Sequence, residues 1–291
     1  MPRLAALAIA AILYATAAAA APVFSPTSST GWYAYSRLFI PPPSGPGPVR
    51  PDPAHPLVSN DEFRESGKQP TFPMGDPESA ILQPWAADSI RKNNARILAG
   101  KPAYSMHATC RPTGVPMFHL IPMTIPMYIV QGRREVLLIL EDFADVRHIY
   151  LSDKHRPNPK PSWYGDSIGH YEGDTLVVDT IGLNDKTFID QFMTPHTTQL
   201  HVVERFRLID GGKILEVNIH VEDPGAFKTP WNAIQRFRQF EQIAAKKPVA
   251  SLALLATPDE GPLIEAICAE NPNSLMGLSD LAVPQTTTPD F

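Results

Sequence analysis

The sequence predicts a mainly β protein in which an antiparallel meander closes into a β-barrel, either lipocalin-like or as a strongly curved sheet. Beyond residue 110, eight segments alternate apolar and polar residues with the period of a strand, and turns rich in Gly, Asp and Asn separate them. No helical pattern lies between these segments, and proline supplies 32 of 291 residues, which excludes a mainly helical chain. Closure is expected because it removes exposed strand edges. The predicted strands are residues 127–131, 135–143, 146–151, 167–171, 175–181, 200–208, 213–222 and 231–242.

Three segments precede the strands. Residues 1–21 combine Arg3, an apolar stretch and an alanine run, the pattern of a cleaved signal peptide, so we expect a periplasmic or secreted protein. Residues 22–84 contain 14 of the 32 prolines together with several aromatic residues, which predicts an extended arm packed on the body of the protein. Residues 84–100 have helical spacing. We expect residues 85–291 to form one barrel domain with a few short helices, one of them in its C-terminal segment.

The composition limits the classes of partner. Lys and Arg number 25 against 30 for Asp and Glu, a net charge of -5, which argues against nucleic-acid binding. No stretch after residue 21 is apolar and long enough to suggest an integral membrane span. The chain lacks the H-E-x-x-H, P-loop and dinucleotide-binding motifs, so no cofactor and no metal site is expected. The oligomeric state is left open.

The two cysteines, Cys110 and Cys268, are expected to form a disulfide, because the protein is predicted to be exported and their number is even. Such a bond would close a loop of roughly 160 residues and would link the start of the barrel domain to its C-terminal segment. Two buried free thiols are the alternative.

Several short motifs along the chain are distinctive: C-x-P-x-G-x-P from Cys110, E-G-D-T-L-V-V-D-T from Glu172, L-H-V-V-E-R-F from Leu200 and E-D-P from Glu222. Together they resemble a large family of exported, uncharacterised bacterial proteins over about residues 85–275. The run from Cys268 to Asn271 is similar to a shortened form of that family's C-x-E-G-N ending. The resemblance implies export but no particular activity. The residues themselves must indicate the chemistry.

Strand alternation predicts carboxylates inside the barrel. Glu204 shares a face with Leu200, Val202, Phe206 and Leu208. A buried carboxylate must be paired or must have a raised pKa, so Glu204 is either a general acid or base or the partner of an arginine such as Arg147. On the strand 175–181, either Asp179 or Thr180 points inward. Glu141 is a third carboxylate of this kind.

Histidines and aromatic residues in loops near the barrel mouth complete the predicted site. His196 is the preferred partner of Glu204, since it lies in the loop that leads into the same strand and histidine exchanges protons near neutral pH. His170 precedes a hairpin turn and is a weaker prediction. Trp163 and Tyr164 could form an aromatic wall for a ligand, or could simply pack in the core.

Two other chemistries are weaker alternatives. Residues 165–169 match the G-x-S-x-G pattern of serine hydrolases, with Ser167 as nucleophile, but prolines precede this segment and a hairpin follows it, where the hydrolase pattern needs a strand and then a helix. A run rich in Met and His could bind copper, although core packing is the simpler interpretation. Its members are Met106, His107, Cys110, Met117, His119, Met123 and Met127.

The sequence therefore favours a barrel that binds a small apolar molecule, including aromatic ones, among a few inward polar groups. If it is an enzyme, cofactor-independent proton transfer of the isomerase or lyase type fits best. Glu204 would then be the base, His196 the acid or orienting group, and Arg147 or Arg205 the stabiliser of negative charge, with Asp179 as a further catalytic group. A non-catalytic carrier or envelope component is the alternative.

Overall fold

The computed structural model describes residues 24, 26, 28, 31–58, 71–103, 106, 111–120, 125–140 and 145–239. Nine strands form one closed barrel in chain order, which confirms the predicted fold class. All eight predicted strands begin within one residue of their expected positions. The strands are β1 (Trp32–Ala34), β2 (Met127–Gln131), β3 (Glu135–Leu140), β4 (Asp145–Leu151), β5 (Asp166–Glu172), β6 (Thr175–Ile181), β7 (His201–Ile209), β8 (Ile214–Glu222) and β9 (Trp231–Gln239).

The strand that closes the barrel comes from the proline-rich arm. β1 pairs with β9 through three residue pairs and with β2 through Trp32 and Met127. The Trp32 side chain is 1% exposed, and its indole Nε1 donates a hydrogen bond to the Pro26 carbonyl at 2.9 Å. The arm therefore contributes directly to the barrel wall.

One strand pair departs from the antiparallel pattern. β4 and β5 are parallel and share only two residue pairs, Tyr150 with Ile168 and Leu151 with Gly169. Parallel neighbours need a connection that returns to the starting end of the barrel. Residues 152–165 make this return over the outer face of the sheet, and we call them the strap.

One end of the barrel is plugged by the segment 113–120, which we call the plug. It includes a 3-10 turn, Met117–Leu120, whose four residues are buried. Gln235 in β9 donates to the His119 carbonyl at 3.0 Å, and Gln191 donates to the Leu120 carbonyl at 2.8 Å. Helix α1 (Pro84–Leu98) packs nearby, with its Trp85 indole bonded to the Gly225 carbonyl.

The core of the protein lies inside the barrel and under the plug. Inward residues of the strands alternate with outward ones and are buried. They include Leu138, Ile149, Val178, Val202, Phe206, Val217 and Phe237. Within the ranges that the structure describes, no helix combines the length and the apolar character needed to cross a membrane. The predicted signal peptide, Cys110, Glu141, Cys268 and the C-terminal helical segment lie outside the described residues.

Candidate functional site

Glu204 lies inside the barrel, on the face that strand alternation predicts. Along β7, Val202, Glu204 and Phe206 are buried, whereas Arg205 points outward and is exposed. The side chain of Glu204 has no exposed surface. A carboxylate in such a place requires compensating charge or hydrogen bonds.

Arg147 supplies that charge from β4. Its guanidinium forms a bidentate pair with Glu204. Nη1 donates to Oε1 at 2.8 Å, and Nη2 donates to Oε2. Nη2 also donates to Thr180 Oγ1 at 3.0 Å and to Ser167 Oγ at 3.2 Å. The Arg147 side chain is fully buried, so the ion pair is shielded from water and held by several hydrogen bonds.

His119, carried by the plug, is the second partner of Glu204. Its Nε2 hydrogen bonds to Oε1 of the carboxylate. Rings of Phe118, Phe206 and Phe237 surround the imidazole, with centroids 5.6–6.0 Å away. The other ring nitrogen, Nδ1, is buried and has no hydrogen-bond partner among the residues that the structure describes. An unpartnered buried nitrogen is unusual enough to require an explanation.

The electrostatics of this cluster fix its protonation. Burial alone would raise the pKa of Glu204, but the charge and hydrogen bonds of Arg147, with the hydrogen bond of His119, outweigh burial and lower the pKa to about 2. An ionised carboxylate only accepts hydrogen bonds, so His119 Nε2 carries a hydrogen. A second proton on His119 would leave the buried cluster with a net positive charge, which burial disfavours. In the singly protonated ring, Nδ1 presents an unused lone pair.

The inward residues of β5 and β6 complete the cluster. Ser167 Oγ and Thr180 Oγ1 lie 2.9 Å apart, and both accept from Arg147. Of the alternatives on β6, Thr180 points inward and Asp179 points outward. Ser167 is the second residue of β5, which continues into a hairpin with β6, so the strand–turn–helix context of a hydrolase nucleophile is absent from this described segment.

Tyr164 closes the cluster at the end of the strap. Its ring packs edge-to-face on Phe118 at 5.7 Å, and its backbone carbonyl lies 3.5 Å from Ser167 Oγ. Burial, with the Asp145 carboxylate nearby, raises the pKa of the Tyr164 hydroxyl. Trp163, predicted beside it as part of an aromatic wall, is half-buried at the surface, with Lys186 Nζ 5.9 Å from its ring.

His196, the histidine preferred from the sequence as the partner of Glu204, forms other bonds. Its Nε2 lies 2.7 Å from Thr187 Oγ1, and its Nδ1 donates to the Thr197 carbonyl at 3.1 Å. Both nitrogens are therefore used, and burial lowers the pKa of the ring. The physical reason is that the loop before β7 folds against Thr187 and does not enter the barrel. His119 takes the expected place beside Glu204.

The remaining predicted ligand residues do not join the cluster. Arg205 and His170 are exposed and both contact Glu172, so they belong to the outer surface. Asp179 also lies on the outer face, where His155 and His201 approach its Oδ1 at 3.0 Å each. Glu141 lies outside the described residues.

The Met- and His-rich run contains His119, the histidine that contacts Glu204. Of that run, Met106, Met117, His119 and Met127 are described and are buried. Among described residues, no group of three or more His, Cys, Asp and Glu side chains is placed to hold a metal ion. The one sequence signal for His119 was a polar residue between the apolar Phe118 and Leu120, which is too weak to single it out.

Comparisons of the chain with protein-family models, with curated proteins and with solved structures find no match. The geometry of the cluster is therefore the basis for its proposed function.

Proposed function

We propose that this chain is an exported β-barrel protein. It binds a small, apolar, aromatic molecule next to His119 and exchanges a proton with it. The observation that carries the proposal is the state of the His119 ring. One nitrogen is held by an ionised, buried carboxylate, and the other is buried without a partner in the described part of the chain. This is the arrangement in which a carboxylate orients a histidine for general acid–base chemistry.

The roles of the cluster differ from those expected from the sequence. With a pKa of about 2, Glu204 is too weak a base to accept a proton at neutral pH. Its negative charge instead orients His119 and would stabilise the imidazolium that forms when Nδ1 takes a proton. Arg147 keeps Glu204 ionised. His119 is then the catalytic base, and Glu204 and Arg147 are positioning residues.

The surroundings of His119 support one class of ligand. Three phenyl rings flank the imidazole, which favours a flat apolar molecule. The charges of Glu204 and Arg147 balance each other, so a charged ligand would bring an uncompensated charge into the barrel. A neutral aromatic compound with one acidic C–H or hydroxyl group fits both conditions. Isomerisation or elimination of the lyase type needs only the proton transfer that His119 offers.

A non-catalytic carrier is the second candidate. It is favoured by the fully buried ion pair of Arg147 and Glu204, since such a pair also serves to hold a barrel together. In that case His119 would accept a hydrogen bond from the ligand and no bond in the ligand would change.

A general base in an apolar site can be tested with 5-nitrobenzisoxazole, a neutral flat compound that opens when one C–H proton is removed and its N–O bond breaks. The phenolate product is followed by its absorbance. We expect a rate above buffer that saturates with substrate and is lost in His119→Gln. The glutamine amide can keep the hydrogen bond to Glu204 while the Nδ1 lone pair disappears. Equal rates in the two proteins would contradict the acid–base role.

Binding by itself is tested with three probes of the same shape: neutral 4-methylphenol, anionic 4-methylbenzoate and cationic 4-methylbenzylammonium. We expect only the neutral probe to bind, and about tenfold more weakly to His119→Gln, since one neutral hydrogen bond is lost. Binding of 4-methylphenol without turnover of the benzisoxazole would favour the carrier. Preferred binding of either ion would contradict the assigned ligand class.

Export is tested separately. When expressed with its own N-terminal segment, the protein should be recovered from the periplasm or medium without residues 1 to about 20, as the signal-peptide pattern predicts. Retention of an intact N-terminus would contradict this part of the proposal.

A further inference from the structure

The strap lies over the outer faces of β5 and β6. Asp166 alternates with the inward Ser167 and therefore points outward, yet its side chain is 1% exposed because the strap covers it. The strap is anchored near its end, where Ser162 exchanges backbone hydrogen bonds of 3.0 and 2.9 Å with Gly182 and Asn184. Its middle, in contrast, is held through side chains.

His155 makes the central attachment of the strap. Its Nδ1 lies 3.0 Å from Asp166 Oδ2, and its Nε2 lies 3.0 Å from Asp179 Oδ1. Carboxylates that are ionised only accept hydrogen bonds, so both ring nitrogens must carry a hydrogen to make both bonds. A doubly protonated ring would therefore satisfy both carboxylates, whereas a neutral ring could donate to only one of them.

The groups that surround His155 keep both carboxylates charged. The hydrogen bond of His201, on β7, is the main cause that lowers the pKa of Asp179. Burial acts to raise the pKa of Asp166, but hydrogen bonds from the Arg156 amide and side chain and from His155 outweigh it. On β8, Glu222 contacts both His201 and His220, so this carboxylate extends the outer-face network that includes Asp179.

We propose that His155 is a pH-dependent clasp that fixes the strap to the barrel while its ring carries both protons and loosens the strap when one proton leaves. A neutral ring has one donor, so one nitrogen lone pair would face a carboxylate oxygen at 3.0 Å. That contact is repulsive. Arg156, which donates to Asp166 Oδ1 at 2.6 Å, is 65% exposed and holds the strap only weakly once His155 is released.

The clasp and the buried cluster lie on opposite faces of the same part of the sheet. Asp166 precedes Ser167, and Asp179 precedes Thr180, so each carboxylate that holds His155 is adjacent in sequence to a residue that accepts from Arg147. Tyr164, near the end of the strap, packs on the plug, but the backbone bonds of Ser162 lie between Tyr164 and His155. The clasp is therefore independent of the proposed ligand site.

The Arg156 amide gives a direct readout, because it donates to Asp166 Oδ2 at 3.1 Å. Its hydrogen-exchange protection is measured on the full chain between pH 5.5 and 8.5 and is corrected for the intrinsic pH dependence of exchange. We expect protection to fall about tenfold or more across the histidine range. The Ile234 amide, bonded to the Ile40 carbonyl at 2.9 Å, serves as reference and should keep its protection.

Three variants identify the titrating group. His155→Arg stays charged and should keep Arg156 protected at every pH. His155→Gln should leave the amide weakly protected at every pH. His55→Gln, a surface histidine that contacts Asp52 on the arm and lies outside this network, should behave as the wild type. Unchanged protection across the pH range in the wild type would overturn the proposal. So would a transition that survives in His155→Gln and disappears in His201→Gln, because the switch would then belong to His201.

Discussion

His119 and Glu204 share a buried hydrogen bond although 85 residues separate them in the chain. The plug brings the histidine into the barrel, where β7 presents the glutamate. Arg147 balances the charge of Glu204 and donates to the same oxygen, Oε1, that His119 contacts. The bond thus joins the plug to the barrel wall and also orients the ring whose second nitrogen is unused.

Glu204→Gln tests the strength of the buried ion pair. The variant leaves the fully buried Arg147 guanidinium uncompensated, so we expect a loss of roughly 3–5 kcal/mol in the free energy of unfolding. The matched control is Glu216→Gln on the outer face, whose partners Arg207 and Arg236 are 50% and 42% exposed and can be solvated. Urea unfolding of both variants should show the larger loss at Glu204. Equal small losses would mean that water reaches Arg147.

Asp190→Asn tests a second buried carboxyl. Burial raises the pKa of Asp190 from 3.8 to about 6, against the hydrogen bonds that it accepts from Phe192 and Thr194. A raised pKa means that the folded state prefers the protonated form, so this contribution to stability is present below pH 4 and is lost as the pH rises through 6. The loss is about 3 kcal/mol at most.

The asparagine variant is neutral at every pH, so the difference in unfolding free energy between pH 4 and pH 7 should shrink by up to that amount. Asp153→Asn, at an exposed site, serves as the control and should leave the difference unchanged. A pH profile that is the same in Asp190→Asn and the wild type would show that this carboxyl is ionised without cost.

Trp32→Ala tests the role of the arm in closing the barrel. Trp32 is 1% exposed, and Trp85 is 45% exposed, while each indole donates to a backbone carbonyl. Removing a buried large aromatic side chain costs about 3–5 kcal/mol. We expect Trp32→Ala to lose this amount in urea unfolding and Trp85→Ala to lose much less. Similar losses would mean that β1 is not integral to the barrel.

The strands could be read from the sequence because each has a clear alternation, and the same alternation located Glu204 and suggested Arg147. Three features could not be predicted from the sequence. β1 has three residues within a proline-rich arm, too few to show a period. The parallel direction of β5 depends on where the strap returns, which its sequence does not encode locally. His119 lies in a 3-10 turn without periodicity, and its partner is distant in the chain.

The His196 prediction shows the same limit. A loop that leads into the Glu204 strand is close to Glu204 along the chain, but its side chains follow the packing of the loop. Thr187 and the Thr197 carbonyl satisfy both nitrogens of His196.

The most direct test of the central claim is the nitrogen NMR spectrum of His119 in the full chain at neutral pH, with the signal assigned by its loss in His119→Gln. We predict a neutral ring protonated at Nε2 and unprotonated at Nδ1, whose Nδ1 signal shifts when 4-methylphenol is added. A ring protonated at both nitrogens, or an Nδ1 signal that does not change at saturating 4-methylphenol, would contradict the account.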